Sequence, residues 1–108
     1  MTDLLLVAIG GALGALLRWA VALLGCGGFP WPTLVVNVGG SLLLGVVAHH
    51  GPDWTLTLLG SGVAGALTTY SAFALETVRL PRRTAVLYAL ATLTLGSAAF
   101  ALGWSLPL

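Results

Sequence analysis

Apolar residues fill long runs of this chain, and polar residues are confined to a few positions between and within the runs. The stretches that lack a charged residue cover positions 4–17, 19–52, 54–75 and 84–108. A membrane-spanning helix needs about 20 apolar residues, and glycines and prolines at 25–32 divide the second stretch. The pattern therefore predicts four transmembrane helices, at about 4–24, 32–49, 54–79 and 82–104.

These helices are predicted to form one four-helix transmembrane domain, because four spans of about 20 residues leave only short loops. The apolar runs are continuous rather than alternating, so a β-barrel is not expected. The start Met1-Thr2-Asp3 lacks the basic region of a secretory leader, and the first run is therefore interpreted as a span. The single cysteine, Cys26, is expected to be a neutral loop or helix-end residue.

Charge is scarce, and its distribution is uneven. Charged residues make up 6% of the 108 residues, apolar types make up 58%, and the net charge is +1. A soluble domain carries about a quarter charged residues, so a soluble enzyme, a disordered segment and a nucleic-acid-binding protein are all excluded. The seven charged residues are Asp3, Arg18, Asp53, Glu76, Arg79, Arg82 and Arg83.

The arginines also predict an orientation. Arg79, Arg82 and Arg83 lie around the loop after the third span, whereas the loop at 49–53 has no arginine or lysine. The positive-inside rule places the arginine loop in the cytoplasm and both termini outside.

Two spans carry polar residues at unusual depth. Asn37 lies midway along the second span, with Thr33 and Ser41 four residues away on the same face. Lipid satisfies none of the hydrogen-bonding groups of an amide, so this stripe is either a contact between helices or a substrate site. On the fourth span, Tyr88 and Thr92 share a face that could pack or line a path.

The third span contains residues that form helices poorly. Glycines at 60, 62 and 65 precede the pair Thr68-Thr69. One interpretation is a continuous helix with close packing; the other is a broken helix, which exposes carbonyl groups that can bind a cation. Further along, Glu76 and Arg79 are spaced for an ion pair, an interpretation favoured over a proton-carrying carboxylate.

Three segments in order resemble motifs of the Fluc/CrcB fluoride channels. Positions 10–19 read GGALGALLRW, 33–41 read TLVVNVGGS and 65–76 read GALTTYSAFALE. The resemblance covers nearly the whole chain. It implies passive, selective export of cytoplasmic fluoride by an all-α membrane protein of the bacterial inner membrane type, which is not an enzyme. The family also implies an antiparallel, dual-topology dimer and a central structural sodium ion at the break in the third span.

The resemblance assigns a role to each matching residue. Asn37 would donate a hydrogen bond to fluoride, and Tyr70 and Phe73 would hold the two aromatic positions of the pore. Backbone carbonyls of Gly65 and Thr68 would bind the sodium ion, and Arg18 would lie at a vestibule. The polar lining would comprise Thr33, Ser71, Tyr88 and Thr92. The chain departs from the family at Tyr70, where phenylalanine is usual, and at Gly96, where serine is frequent.

The implied partners are fluoride, membrane lipid and a second antiparallel subunit, either another copy or a paralogue; nucleic acid is not one. The arginine asymmetry favours a fixed orientation and thus a paralogue. One rival function is a small drug or cation exporter, which needs a carboxylate within the first span. Here the first span has none after Asp3. A second rival is a structural subunit without transport, which leaves the polar stripe unexplained.

Overall fold

The computed structural model describes residues 2–25 and 28–107, and within these ranges the regular secondary structure is all helix, without strands. Cys26 therefore lies outside the described residues. Five helices follow one another: α1 (Thr2–Ala22), α2 (Trp31–His50), α3 (residues 53–67), α4 (Ser71–Arg79) and α5 (Arg82–Ser105). Together α3 and α4 make the third span, so four spans are long and apolar enough to cross a membrane. This confirms the predicted all-helical protein with four spans.

Prolines determine where two of the helices begin. Pro30 precedes α2 and Pro32 occupies its first turn, where the missing N–H group has no helical partner to lose. Pro81 precedes α5 in the same way. Each observed span begins and ends within two residues of its predicted position.

The first half of the third span is wound in an unusual way. Between short α-helical pieces, Leu56–Ala64 forms a π-helix, in which each N–H bonds five residues back. Helix α1 packs directly on this segment, because a side chain at Gly10 would overlap the Leu58 carbonyl oxygen. A Cβ at Gly62 would lie 2.8 Å from the Cα of Gly10. The small residues thus allow two backbones to approach closely, as in other membrane helix pairs.

Helices α2 and α5 form a second close seam. A Cβ at Gly45 would overlap the Phe100 carbonyl oxygen, and one at Gly103 would lie 2.5 Å from the Leu42 carbonyl oxygen. At the end of this seam the His49 ring stacks on Trp104, with centroids 4.6 Å apart and planes 9° from parallel. His49 and its neighbour belong to the last turn of α2 rather than to the expected loop.

The helix of the third span stops at Leu67 and restarts at Ser71. Thr68 has extended backbone, with φ −76° and ψ 158°. The third span is therefore a broken helix. Of the two interpretations of its glycine and threonine residues, the structure agrees with the broken helix and not with the continuous one. One glycine seam holds α1 against the third span, and the other holds α5 against α2.

Candidate functional site

The break in the third span is bound to the middle of α2 by one side chain. The Asn37 Nδ2 group donates to the Thr69 carbonyl oxygen at 3.0 Å, and the Thr69 N–H donates to Asn37 Oδ1 at 2.8 Å. Both ends of the amide thus pair with the backbone of a single residue. Of the two interpretations of Asn37, contact between helices is observed, and the amide retains one further N–H for another partner.

A cleft of about 470 Å³ opens beside this contact, between α2, the break and α5. We call it the neutral cleft, because no charged residue is among those described along its wall. Six residues with predicted site roles line it: Asn37, Gly65, Thr68, Tyr70, Phe73 and Thr92. Residues 37 and 92 come from different spans, so only the packing of α2 against α5 brings them together.

Thr92 offers an unused donor in the neutral cleft. Its hydroxyl oxygen is buried and has no hydrogen-bond partner in the part of the chain that the structure describes. A buried hydroxyl without a partner is costly in an apolar environment. A polar ligand in the cleft would satisfy it.

A second cleft, of about 420 Å³, lies between α1, the start of α2 and the start of α4. Three predicted residues line it: Arg18, Thr33 and Ser71. We call it the arginine cleft, since Arg18 is the one charged residue among those described in its lining. Arg18 is exposed, so its charge reaches the space outside the cleft as well.

Thr69 belongs to the walls of both clefts. Its hydroxyl oxygen lies 3.3 Å from the Ser71 hydroxyl oxygen and accepts a hydrogen bond from the Ala72 N–H at 3.2 Å. Thr69, the residue to which Asn37 binds, therefore forms part of the wall between the neutral cleft and the arginine cleft. No role for Thr69 was predicted from the sequence.

Aromatic rings connect the break with α5. The Tyr70 and Phe73 ring centroids lie 6.2 Å apart, and those of Phe73 and Tyr88 lie 5.2 Å apart. Phe29 meets Tyr88 edge to face at 5.5 Å. Tyr70 is 79% exposed, whereas Tyr88 is fully buried and lines neither cleft.

Tyr88 has a different polar neighbour. Its hydroxyl donates to Glu76 Oε1 at 3.4 Å, a long hydrogen bond. Among the described residues the structure contains no ion pair between Glu76 and Arg79, in contrast to the expectation from their spacing. The carboxylate turns towards α5 instead, because a buried phenol there offers it a donor.

The predicted residues thus fall into three groups. One group lines the neutral cleft, a second lines the arginine cleft, and Tyr88 lies apart in the aromatic cluster. Besides Thr69, Gly40 and Ser97 line the neutral cleft without having been predicted as site residues. The sequence did hold a signal for Gly40, because this glycine belongs to the second-span motif. In the structure a Cβ at Gly40 would overlap Thr68 Cγ2.

The sequence also matches a known protein family. Residues 5–104 match the family described as "CrcB-like protein, Camphor Resistance (CrcB)". A protein named fluoride-specific ion channel FluC from Shewanella amazonensis is 44% identical, over 74% of this chain and 72% of the relative. One of the same name from Novosphingobium aromaticivorans is 42% identical over 98% and 96%, respectively. Fluoride-specific ion channel FluC 1 of Rhodococcus jostii is 52% identical over 81% and 70%.

Proposed function

Because this chain belongs to the CrcB-like family, we propose that it is a fluoride-selective channel through which cytoplasmic fluoride leaves the cell passively. The chain is a multi-pass membrane protein with four spans. Its relatives are named as ion channels rather than enzymes, in agreement with the prediction that it has no catalytic activity.

The neutral cleft is the observation that carries this proposal. It combines the Asn37 amide and the unpartnered Thr92 hydroxyl with the Tyr70 and Phe73 rings, and no charged residue is described in its wall. Fluoride is small and strongly hydrated, so a pore has to replace water with other donors. Neutral donors do this without holding the anion too tightly to leave. Aromatic rings add the positive potential of their edges.

The arginine cleft would be the entrance to this path. A cation at the mouth of a pore raises the local concentration of anions, and low-dielectric walls focus its field. Thr33 and Ser71 line the same cleft, and their hydroxyls would replace part of the hydration shell. The anion would then pass the Thr69 wall to reach the neutral cleft.

A structural sodium ion at the break is the proposed cofactor. Sodium is a hard cation that prefers oxygen ligands, and it would balance the partial negative charge of carbonyl groups gathered at one point. Gly65 and Thr68 would contribute their backbone carbonyls; the extended backbone at Thr68 takes its carbonyl out of the helix, which fits this role. Two carbonyls complete only part of a coordination shell, so a second subunit would supply the rest.

The proposed assembly is an antiparallel dimer. Gly65 is exposed, and among the described residues a Cβ there would meet the Gly60 carbonyl oxygen alone, at 3.8 Å. None of the described residues therefore requires glycine at this position, whereas a backbone of a second subunit would. The exposed ring of Tyr70, next to the break, would be covered by the same partner.

The partner is either another copy or a paralogue. The three arginines around the loop after the third span favour one fixed orientation, and hence a paralogue in the opposite orientation. Reporter fusions at the C-terminus test this. If the chain pairs with a paralogue, we expect the reporter outside the cytoplasm only. Equal inside and outside populations would support pairing with its own copy.

Fluoride efflux from liposomes tests the function itself. Purified protein, alone or with its paralogue, is expected to release fluoride as soon as the electrical potential is relieved by a potassium ionophore. The variant Asn37→Ala should lose most of this efflux, and Leu93→Ile, a conservative change in the same cleft, should retain it. Fluoride retention by all protein-containing liposomes, with and without the paralogue, would contradict the proposal.

A further inference from the structure

We infer that Asn37 is a positioning residue, which keeps the third span broken by taking the backbone hydrogen bonds of Thr69 away from the helix. The inference deepens the proposed function, on which it rests for the consequence in ion flow. The geometry of the break, by contrast, is independent of which ion passes.

The hydrogen-bond ladder of an α-helix shows what Asn37 replaces. In a continuous helix, the Thr69 N–H would donate to the carbonyl four residues earlier, that of Gly65. In the structure this N–H donates to Asn37 Oδ1 at 2.8 Å instead. The Gly65 carbonyl is thereby deprived of its helical donor.

The same displacement occurs one step further along. The Thr68 carbonyl would accept from the Ala72 N–H in a continuous helix. That N–H donates to the Thr69 hydroxyl oxygen at 3.2 Å. Thr69, bound to Asn37 through its backbone, thus withholds a donor from the Thr68 carbonyl through its side chain. The two carbonyls proposed for the cation are the two whose helical donors are diverted.

Asparagine suits this task because its side chain reproduces both halves of a backbone peptide group. Its Oδ1 accepts from the Thr69 N–H, and its Nδ2 donates to the Thr69 carbonyl oxygen. Loss of the amide leaves the Thr69 N–H and carbonyl without their side-chain partner, which favours a return to helical pairing. A variant without the amide therefore changes Thr68, Thr69 and the neighbouring Tyr70 together.

The sequence offers a selective probe of this contact. Thr68-Thr69 is the only pair of consecutive threonines in the chain. Threonine labelled with ¹³C at the carbonyl and ¹⁵N at the nitrogen therefore gives one directly bonded ¹³C–¹⁵N pair, at the Thr69 amide. Nuclear magnetic resonance of the protein in lipid bilayers can follow the proton exchange of that amide alone.

Three variants test whether Asn37 positions the break or only donates a hydrogen bond to the ion. Asn37→Leu removes both hydrogen bonds at similar volume, and Asn37→Asp retains an acceptor for the Thr69 N–H. Thr92→Val removes a donor that lines the same cleft and makes no hydrogen bond to the described residues of the break. We expect a change of about tenfold or more in Thr69 amide exchange, together with a changed amide ¹⁵N shift, in Asn37→Leu only.

Ion selectivity supplies a second test of the positioning role of Asn37. Asn37→Leu should alter the ratio of fluoride to chloride permeation, since it moves several lining groups, whereas Thr92→Val should lower the rate at unchanged ratio. Wild-type exchange and ¹⁵N shift at Thr69 in Asn37→Leu would overturn the inference, as would equal changes in Thr92→Val. If wild-type protein passed no fluoride, the proposed function would fail, while the resonance comparison would still decide the role of Asn37.

Discussion

The two clefts lie on either side of Thr69 and are similar in size, but they differ in chemistry. The arginine cleft contains a cation and three hydroxyl-bearing residues, Thr69 included, whereas the neutral cleft contains an amide, the buried Thr92 hydroxyl and two aromatic rings. The first is built mainly on α1 and the helix starts of α2 and α4. The second depends on the break and on α5.

In the proposed function, the arginine cleft attracts the anion and the neutral cleft lets it pass. A charge acts over about 8 Å in physiological salt and can raise the local concentration of anions before they enter. A charge in the narrow part of a path would bind the anion and slow its release. The neutral cleft avoids this, and its variants should therefore have larger effects than those of the arginine cleft.

The largest effect is expected from overpacking of the neutral cleft. In Gly40→Val the new side chain would overlap Thr68 Cγ2 and displace the start of the break. We expect fluoride efflux to fall on the order of 100-fold, measured with a fluoride electrode on liposomes. Gly39→Val is the matched control, because a Cβ at Gly39 meets no atom within 4 Å. Equal losses in both variants would show that α2 merely tolerates no branched residue here.

Loss of one donor from the neutral cleft should have the next largest effect. Thr92→Val removes a hydroxyl that has no described partner within the chain, so protein stability should not suffer. Efflux should fall about tenfold, the value of one hydrogen bond to a charged ligand. Thr94→Val is the control, since Thr94 lies on the same helix and lines neither cleft. Unchanged efflux in Thr92→Val would remove this hydroxyl from the path.

A smaller effect, dependent on salt, should distinguish the arginine cleft. Arg18→Gln should lower efflux about threefold at low ionic strength and approach the wild-type rate in concentrated salt, because screening weakens attraction at the mouth. Arg83→Gln, which lines neither cleft, controls for general surface charge. A loss in Arg18→Gln that persists in concentrated salt would mean that Arg18 acts by contact rather than by attraction.

The smallest effect is expected at the aromatic position that departs from the family. Tyr70→Phe keeps the ring and removes its hydroxyl, on a residue that is 79% exposed. Efflux should change less than about threefold, because the ring edge that faces an anion is retained. Tyr70→Leu removes the edge and should lower efflux further. Equal rates for the two variants would exclude a role for the aromatic edge.

Much of the fold follows from the sequence, because membrane insertion depends on apolar length and little else. Continuous apolar runs predict the four spans, and prolines at 30, 32 and 81 mark where two helices begin. The π-helical winding of Leu56–Ala64 was not foreseen, since glycines permit several hydrogen-bond registers and packing against α1 selects one.

Nine of the predicted residues line one of the two clefts, but their arrangement could not be predicted. Asn37 is prominent as an amide at mid-membrane, yet its partner lies 32 residues away in the backbone of Thr69. Spacing along one helix cannot reveal such a contact. In the same way, Tyr88 and Thr92 share a face of α5, but only Thr92 reaches the neutral cleft, because Phe29 and Phe73 enclose Tyr88.

We propose that fluoride moves passively through a path of neutral groups. The reversal potential of the protein, measured in a planar bilayer with unequal fluoride and an opposing pH gradient, tests this directly; if the second subunit is a paralogue, both chains are reconstituted together. We expect a current that reverses at the equilibrium potential of fluoride and is indifferent to the pH gradient. A reversal potential that follows the proton gradient, or a current equally permeable to chloride, would contradict it.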